Sequence, residues 1–169
     1  MNRRQFFYSR KLMGAATAAL IALTVLFVLA WQALPDGRLR LWFLDVGQGD
    51  AILMRFPAGE WVLVDGGPDA SVLAHLGRLI PFYERELELV ILTHPHADHV
   101  DGLVEVLERY RVRNLLLTGV KYDYAGYERL LDVAREGGVK LLYSSDGVDY
   151  AIGRSGLDLI YPGTMLRGR

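Results

Sequence analysis

An unbroken run of 20 uncharged residues near the N-terminus sets the strongest limit on how this chain folds. Residues 12–31 read LMGAATAALIALTVLFVLAW, and a helix of that length spans a hydrocarbon core of about 30 Å. A core helix of a globular domain rarely lacks a polar face over such a length. Residues 1–34 are therefore predicted to form a basic head and one transmembrane anchor, and residues 35–169 a separate folded domain.

The charges around this run predict its orientation. Arg3, Arg4, Arg10 and Lys11 precede it and no acidic residue does, so the head should stay cytoplasmic and the domain should lie on the extracytoplasmic side of the cell membrane. A signal sequence that is cleaved after export is the alternative interpretation. The rest of the chain carries 15 basic and 20 acidic residues, a balance that argues against a broadly basic surface that wraps DNA.

After the linker, short apolar runs give way to alternating strand and helix patterns. Glycine-rich turns join the first three predicted strands as antiparallel hairpins, and strand–helix alternation follows. This order indicates an α/β domain with a mixed sheet and helices packed against it. The predicted strands are 39–46, 51–56, 61–64, 89–93, 114–118, 139–143 and 157–161, with a short one inside 144–154, and the predicted helices are 71–79, 102–110 and 126–135.

Three of the four histidines fall in one heptapeptide, THPHADH at 93–99. It directly follows a predicted buried strand, and open α/β sheets place ligand sites at the carboxyl ends of their strands. His94 and His96 can aim two imidazoles at one metal ion, while Asp98 and His99 can turn toward a second. The chain has no cysteine, so nitrogen and carboxylate ligands favour zinc, with manganese or iron possible.

Three stretches, DVGQGDA at 45–51, VDGGP at 64–68 and LTHPHADHVDGL at 92–103, resemble the metallo-β-lactamase fold hydrolases, whose metal motif is HxHxDH. They are more similar still to the extracellular hydrolase domain of ComEC-type competence proteins. The resemblance implies a four-layer αββα sandwich, two zinc ions and hydrolysis of phosphodiesters, in the competence case incoming DNA. By the same resemblance His94 and His96 bind the first metal and Asp98 and His99 the second. Asp98 is also the expected catalytic residue, handling a proton, and Asp65 is expected to support the histidine loop.

The sequence also departs from the family pattern. No histidine follows His99, and neither a TGD-type aspartate nor the later HHGS-type histidines are found. We therefore expect the chain to hold only the N-terminal part of such a sandwich, with too few ligands for tight metal binding.

These features predict a membrane-anchored, metal-dependent hydrolase that acts on DNA or another phosphodiester, with a membrane channel protein as a possible partner. Two alternatives stay open. One is a hydrolase of another ester or a lactam, because a fold does not fix a substrate. The other is a non-catalytic tethered interaction module with a degenerate metal site.

Other polar residues have a simpler structural interpretation than a functional one. Gln48 and Asp50 are predicted to cap a hairpin, His75 to lie packed or at the surface of its helix, and Asp101 to favour the start of the next helix. Two further clusters could contact nucleic acid, although a solvated face and packing around a helix start explain them: Arg109, Arg111 and Arg113, and Tyr122, Tyr124 and Tyr127.

Overall fold

The computed structural model describes residues 3–144 and 149–159 of the 169-residue chain. The chain divides into two compact units, Met1–Leu34 and Pro35–Arg169. In the described part, the first unit is one helix, α1 (Arg3–Ala33), and the second carries the strands and three further helices.

The middle of helix α1 is an exposed apolar segment. Within it Met13–Trp31 has a mean hydropathy of 2.3 and none of it is buried, so it is long and apolar enough to cross a membrane. The hydroxyls of Thr17 and Thr24 donate to the carbonyls of Met13 and Leu20, at 2.6 and 2.8 Å. These bonds satisfy the hydroxyl protons within the helix. A signal sequence near an N-terminus can be equally long and equally apolar.

The second unit is built on a six-stranded sheet whose spatial order, β1–β2–β3–β4–β5–β6, follows the chain. The first three strands pair antiparallel, and β3 to β6 pair parallel, so the predicted mixed sheet is confirmed. The strands are β1 (Arg40–Phe43), β2 (Ile52–Arg55), β3 (Trp61–Val64), β4 (Glu86–Ile91), β5 (Arg111–Leu117) and β6 (Lys140–Tyr143).

Three helices connect the parallel strands: α2 (Ser71–Leu79), α3 (Ala97–Arg109) and α4 (Ala125–Glu136). The predicted start of α3 at residue 102 is wrong, because the helix begins inside the histidine motif. The carbonyl of His96 accepts from the amides of His99 and Val100, both at 3.0 Å, and Asp98 lies in the first turn, where its carboxylate suits the helix dipole. Asp98 and His99 are therefore helical residues rather than loop residues.

The two faces of the sheet carry separate apolar clusters. Alternate residues of one strand belong to different clusters, as Leu115 and Leu117 do on one side and Leu116 on the other. The larger cluster packs under the helices through residues such as Leu76, Leu103 and Leu130. The interior of the domain thus lies mainly between the sheet and this single helix layer.

A two-stranded antiparallel ribbon, β7 (Tyr150–Ile152) and β8 (Ser155–Leu157), contributes Ile152 to the smaller cluster. The strand predicted at 157–161 lies earlier, at β8, and residues 160–161 are outside the described part. Among residues 3–144 and 149–159, the layers of the domain are the helices, the six-stranded sheet and this ribbon. The α/β class with a mixed sheet, preceded by one apolar helix, is confirmed.

Candidate functional site

The histidine motif lies at the carboxyl edge of the parallel part of the sheet. Strand β4 ends at Ile91 and α3 begins at Ala97, so residues 92–96 form the connection and carry Thr93, His94 and His96. Pro95 is buried, and the amide of His96 donates to the carbonyl of His94 at 3.0 Å. This tight turn fixes the backbone that carries the side chains of the motif.

The three imidazole rings of the motif lie against one another. The ring centroids of His94 and His99 are 3.9 Å apart, and those of His94 and His96 are 4.7 Å apart. His99 is only 6% exposed, His94 is half-buried and His96 is exposed. The cluster therefore runs from the interior of the domain to solvent, which leaves one side open to a ligand.

Asp65 connects this cluster to the end of β3. It is 2% exposed, and its backbone φ of 55° is rare for a residue other than glycine. Its Oδ1 accepts from the Thr93 amide at 2.9 Å, and its Oδ2 accepts from the Thr93 hydroxyl at 2.6 Å and contacts His99 Nδ1 at 2.9 Å. A strained backbone at a site of this kind persists because surrounding bonds hold it.

These bonds assign the proton positions of two histidines. The Thr93 hydroxyl has one proton and gives it to Asp65, so its oxygen must accept from His94 Nδ1, 3.0 Å away. His99 Nδ1 likewise donates to the Asp65 carboxylate. In the neutral form of each ring, this tautomer leaves Nε2 as the nitrogen that can bind a metal.

Asp98 lies beside the cluster without bonding to it. Its Oδ2 is 3.8 Å from His99 Nε2, which is beyond hydrogen-bonding distance, and its side chain is 34% exposed. No group of three or more His, Asp or Glu side chains is arranged to hold a metal ion anywhere in the described ranges. The donor chemistry nevertheless fits zinc, because two imidazoles with free Nε2 atoms and a nearby carboxylate are ligands that zinc prefers.

Glycines of the three sequence motifs allow their backbones to touch. A Cβ at Gly49 would overlap the carbonyl oxygen of Asp98, and one at Gly102 would overlap the carbonyl oxygen of Gly66. The amide of Gly66 also donates to the His99 carbonyl at 2.9 Å. The turns after β1 and β3 therefore pack directly on the first turns of α3, which explains why these positions lack side chains.

Several residues take the structural positions that their simpler interpretation predicts. His75 Nε2 lies 2.8 Å from the carbonyl oxygen of Asp45, away from the motif. Asp101 was predicted to favour the start of the next helix, but it lies beyond the first turn of α3, which begins at Ala97. The three arginines are engaged in ion pairs: Arg109 with Glu105, Arg111 with Glu86, and Arg113 with Glu86 and Glu88.

The tyrosines after β5 divide into two groups. Tyr127 is buried, and the Tyr124 hydroxyl donates to both carboxylate oxygens of Asp101, at 2.8 and 2.6 Å. This bond to Asp101 raises the pKa of Tyr124 to about 12. Tyr122 is exposed, and its ring lies 5.2 Å from that of His96. The sequence pattern missed the proximity of Tyr122 to the histidines, as it missed the role of Thr93, although Thr93 directly precedes the motif.

The family model described as "Metallo-beta-lactamase superfamily" matches residues 44–163, more than half of the chain. The chain belongs to the metallo-beta-lactamase superfamily. Proteins of this superfamily are generally hydrolases that bind metal ions, often zinc. The resemblance based on the three motifs is thereby confirmed.

Individual relatives agree with this assignment. The chain is 28% identical over 138 residues to ComE operon protein 3 of Bacillus subtilis (strain 168). The matched region covers 72% of this chain and 18% of that protein. It is 42% identical over 55 residues to hydroxyacylglutathione hydrolase of Xylella fastidiosa (strain M12), covering 32% of this chain and 19% of that protein. The chain thus spans less than a fifth of the length of these curated relatives.

Solved structures show the same fold at low identity. A metallo-beta-lactamase from Cronobacter sakazakii with substitutions in its HARLDQ motif superposes with a TM-score of 0.50 at 19% identity, over 70% of this chain and 49% of that chain.

Proposed function

We propose that this member of the metallo-beta-lactamase superfamily is a membrane-anchored, metal-dependent hydrolase of phosphodiesters. The observation that carries the proposal is the set of bonds around Asp65 and Thr93, which engages Nδ1 of both His94 and His99 and so leaves Nε2 of each ring as the nitrogen available to a metal. Metal-binding histidines characteristically donate their other ring N–H to a carboxylate or another acceptor in this way.

His94 and His96 would hold one metal ion, and Asp98 and His99 a second. Zinc held by these residues would lower the pKa of a water molecule and would neutralise charge on a phosphoryl group. Asp65 keeps the His99 ring in one orientation, and Thr93 does the same for His94. Asp98, whose side chain is 34% exposed, would also take or return a proton near the substrate.

The phosphodiester substrate is what the resemblance of the motifs at 45–51, 64–68 and 92–103 to ComEC-type hydrolase domains implies, and the similarity to ComE operon protein 3 over 72% of this chain supports that resemblance. Helix α1 supports a location at the membrane, with the domain on the extracytoplasmic side. DNA and a membrane channel protein are then the expected partners.

Two other functions have an observation in their favour. The 55-residue match to hydroxyacylglutathione hydrolase favours an ester or thioester substrate. The absence, within the described residues, of three ligands arranged for one metal favours a non-catalytic interaction module. Both are distinguished from the proposal by the experiment below.

The test uses the full chain purified in detergent and loaded with zinc or manganese. Bound metal is measured by mass spectrometry, and hydrolysis of bis-p-nitrophenyl phosphate is compared with that of nitrocefin and of a hydroxyacylglutathione. We expect metal-dependent release of p-nitrophenolate, reduced about a hundredfold or more in a His96→Ala/Asp98→Ala double variant. His75→Ala is the matched control, since it removes a histidine outside the cluster and should keep both metal and activity.

Each alternative has its own outcome. Preferred cleavage of the hydroxyacylglutathione or of nitrocefin would replace the phosphodiester assignment. Failure of the protein to retain metal at neutral pH would favour the interaction module. Equal phosphodiester hydrolysis by the double variant and the parent protein would refute the assignment of the site.

A further inference from the structure

Tyr122 is an exposed aromatic residue that lies directly beside the histidine cluster. Its ring centroid is 5.2 Å from that of His96, with the two planes tilted by 52°. The segment that carries it follows β5, which pairs in parallel with β4, so the two connections leave the same edge of the sheet. A ligand held at His96 would therefore meet the ring of Tyr122.

The fold does not require this ring. Tyr124 anchors the start of α4 through its bonds to Asp101, and Tyr127 fills the core beneath that helix. The side chain of Tyr122 is 42% exposed, and the residue supports the turn through its carbonyl, which accepts from the Tyr124 amide at 3.1 Å. Only one of the three tyrosines is thus available to a ligand.

The charge of the domain limits how it can hold a nucleic acid. The 15 basic and 20 acidic residues that follow the apolar run give no excess positive charge, and Arg109, Arg111 and Arg113 are paired with glutamates. Contacts to phosphates alone would therefore bind a strand weakly. Stacking on an aromatic side chain is the sequence-tolerant contact that remains.

We propose that Tyr122 is a stacking platform for a nucleobase of a single-stranded substrate, next to the phosphodiester held at the histidine cluster. The proposal rests on the proposed function and names its substrate class. The exposed ring contributes affinity for the base, while His96 and its neighbours contact the adjacent backbone. Tyr122 is a binding residue in this arrangement and takes no part in bond cleavage.

Binding without turnover tests this role. Fluorescence anisotropy of the zinc-loaded full chain in detergent compares a labelled oligothymidine strand with hydrolysis-resistant phosphorothioate linkages to an abasic strand of the same length and linkage, and hydrolysis is assayed separately with ordinary strands. We expect the parent protein to bind oligothymidine about fivefold to a hundredfold more tightly than the abasic strand. Tyr122→Phe should retain this preference, and Tyr122→Ala should lose it without a change in affinity for the abasic strand.

Tyr83→Ala is the matched control. Tyr83 is 59% exposed and precedes β4, so it lies at the opposite edge of the sheet from the histidine motif. Its loss should leave both affinities unchanged. The platform would be overturned if the parent protein bound both strands equally or bound neither. It would also be overturned if Tyr122→Ala preferred oligothymidine over the abasic strand as strongly as the parent protein does. Hydrolysis that persists without a base preference would refute the platform alone, whereas a base preference without any hydrolysis would refute the enzyme alone.

Discussion

Asp65 is the residue on which most of the candidate site depends, because one carboxylate orients both Thr93 and His99. In Asp65→Asn the amide nitrogen would face His99 Nδ1 and donate to it. The proton of the ring would then move to Nε2, and the free lone pair would be lost. We expect zinc affinity to fall about tenfold to a hundredfold, measured by competition with a chromophoric chelator, while the fold is retained because asparagine tolerates a positive φ.

Asp69→Asn is the control for this exchange of carboxylate for amide. Asp69 is exposed, and its Oδ1 accepts from the Ser71 amide at 2.8 Å ahead of α2. An asparagine can accept the same bond, so zinc affinity should not change. An unaltered affinity in Asp65→Asn as well would contradict the role assigned to Asp65.

Thr93 provides an independent test of the same bonds. Thr93→Val removes the hydroxyl that accepts from His94 Nδ1, yet it preserves side-chain shape and the backbone bond to Asp65. We expect weaker zinc binding and restoration by Thr93→Ser, which returns the hydroxyl. Chelator competition on both variants measures the effect, and a valine variant that binds zinc as tightly as the serine variant would disprove it.

The bond between Tyr124 and Asp101 predicts a dependence of stability on pH. The pKa of Tyr124 is raised to about 12 in the folded chain, above the value of about 10 in an unfolded chain. The folded state therefore keeps the proton longer, and the bond's contribution is fully present below pH 10 and lost as the pH rises through about 12. Tyr124→Phe should lower the free energy of unfolding by about 1 kcal/mol at neutral pH.

Urea unfolding of Tyr124→Phe and of the parent protein at several pH values measures this difference. The two stabilities should converge between about pH 10 and pH 12, because only the parent loses the contribution there. A difference that stays constant over this range would show that the hydroxyl does not bond to an ionised carboxylate.

At the scale of elements, the β1–β2 turn and the first turn of α3 form one packed unit. Gly47 and Gly49 both have positive φ, at 82° and 76°, but a Cβ would meet a neighbour only at Gly49. Alanine at either position strains the backbone by about 1–2 kcal/mol. Gly49→Ala should in addition displace Asp98 and weaken zinc binding, whereas Gly47→Ala should lower the melting temperature alone.

Thermal unfolding and zinc titration of these two variants separate the effects. Zinc binding that is equally weakened in both, or unchanged in both, would contradict a specific contact between the turn and Asp98.

The elements that the sequence predicted best are those with a strong local signal. Strand β3 and helix α2 have the predicted bounds, since glycine and proline mark the ends of β3 and apolar spacing marks α2. The start of α3 was not predicted because its first residues are polar and lack an apolar helical pattern. Hydrogen bonds from backbone amides to the His96 carbonyl form that first turn. Clustering of the histidines was predictable from spacing, whereas the bonds of Thr93 and the position of Tyr122 depend on contacts between segments distant in sequence.

At the scale of the whole molecule, α1 is long and apolar enough to be a membrane span, and a signal sequence has the same character. If α1 is an uncleaved anchor, the full-length protein should sediment with membranes and resist extraction by high salt and alkaline carbonate. Its intact mass should include residues 1–34. A mature protein that lacks this segment and is released in soluble form would establish the cleaved-signal alternative instead.

The order of the six-stranded sheet affects how the domain can fold during its synthesis. Each strand after β1 pairs with the strand before it in the chain, so its partner has already been synthesised when it emerges. Each new strand can add to an edge that already exists as the polypeptide leaves the ribosome, and the histidine loop closes once β5 has joined β4 beside it.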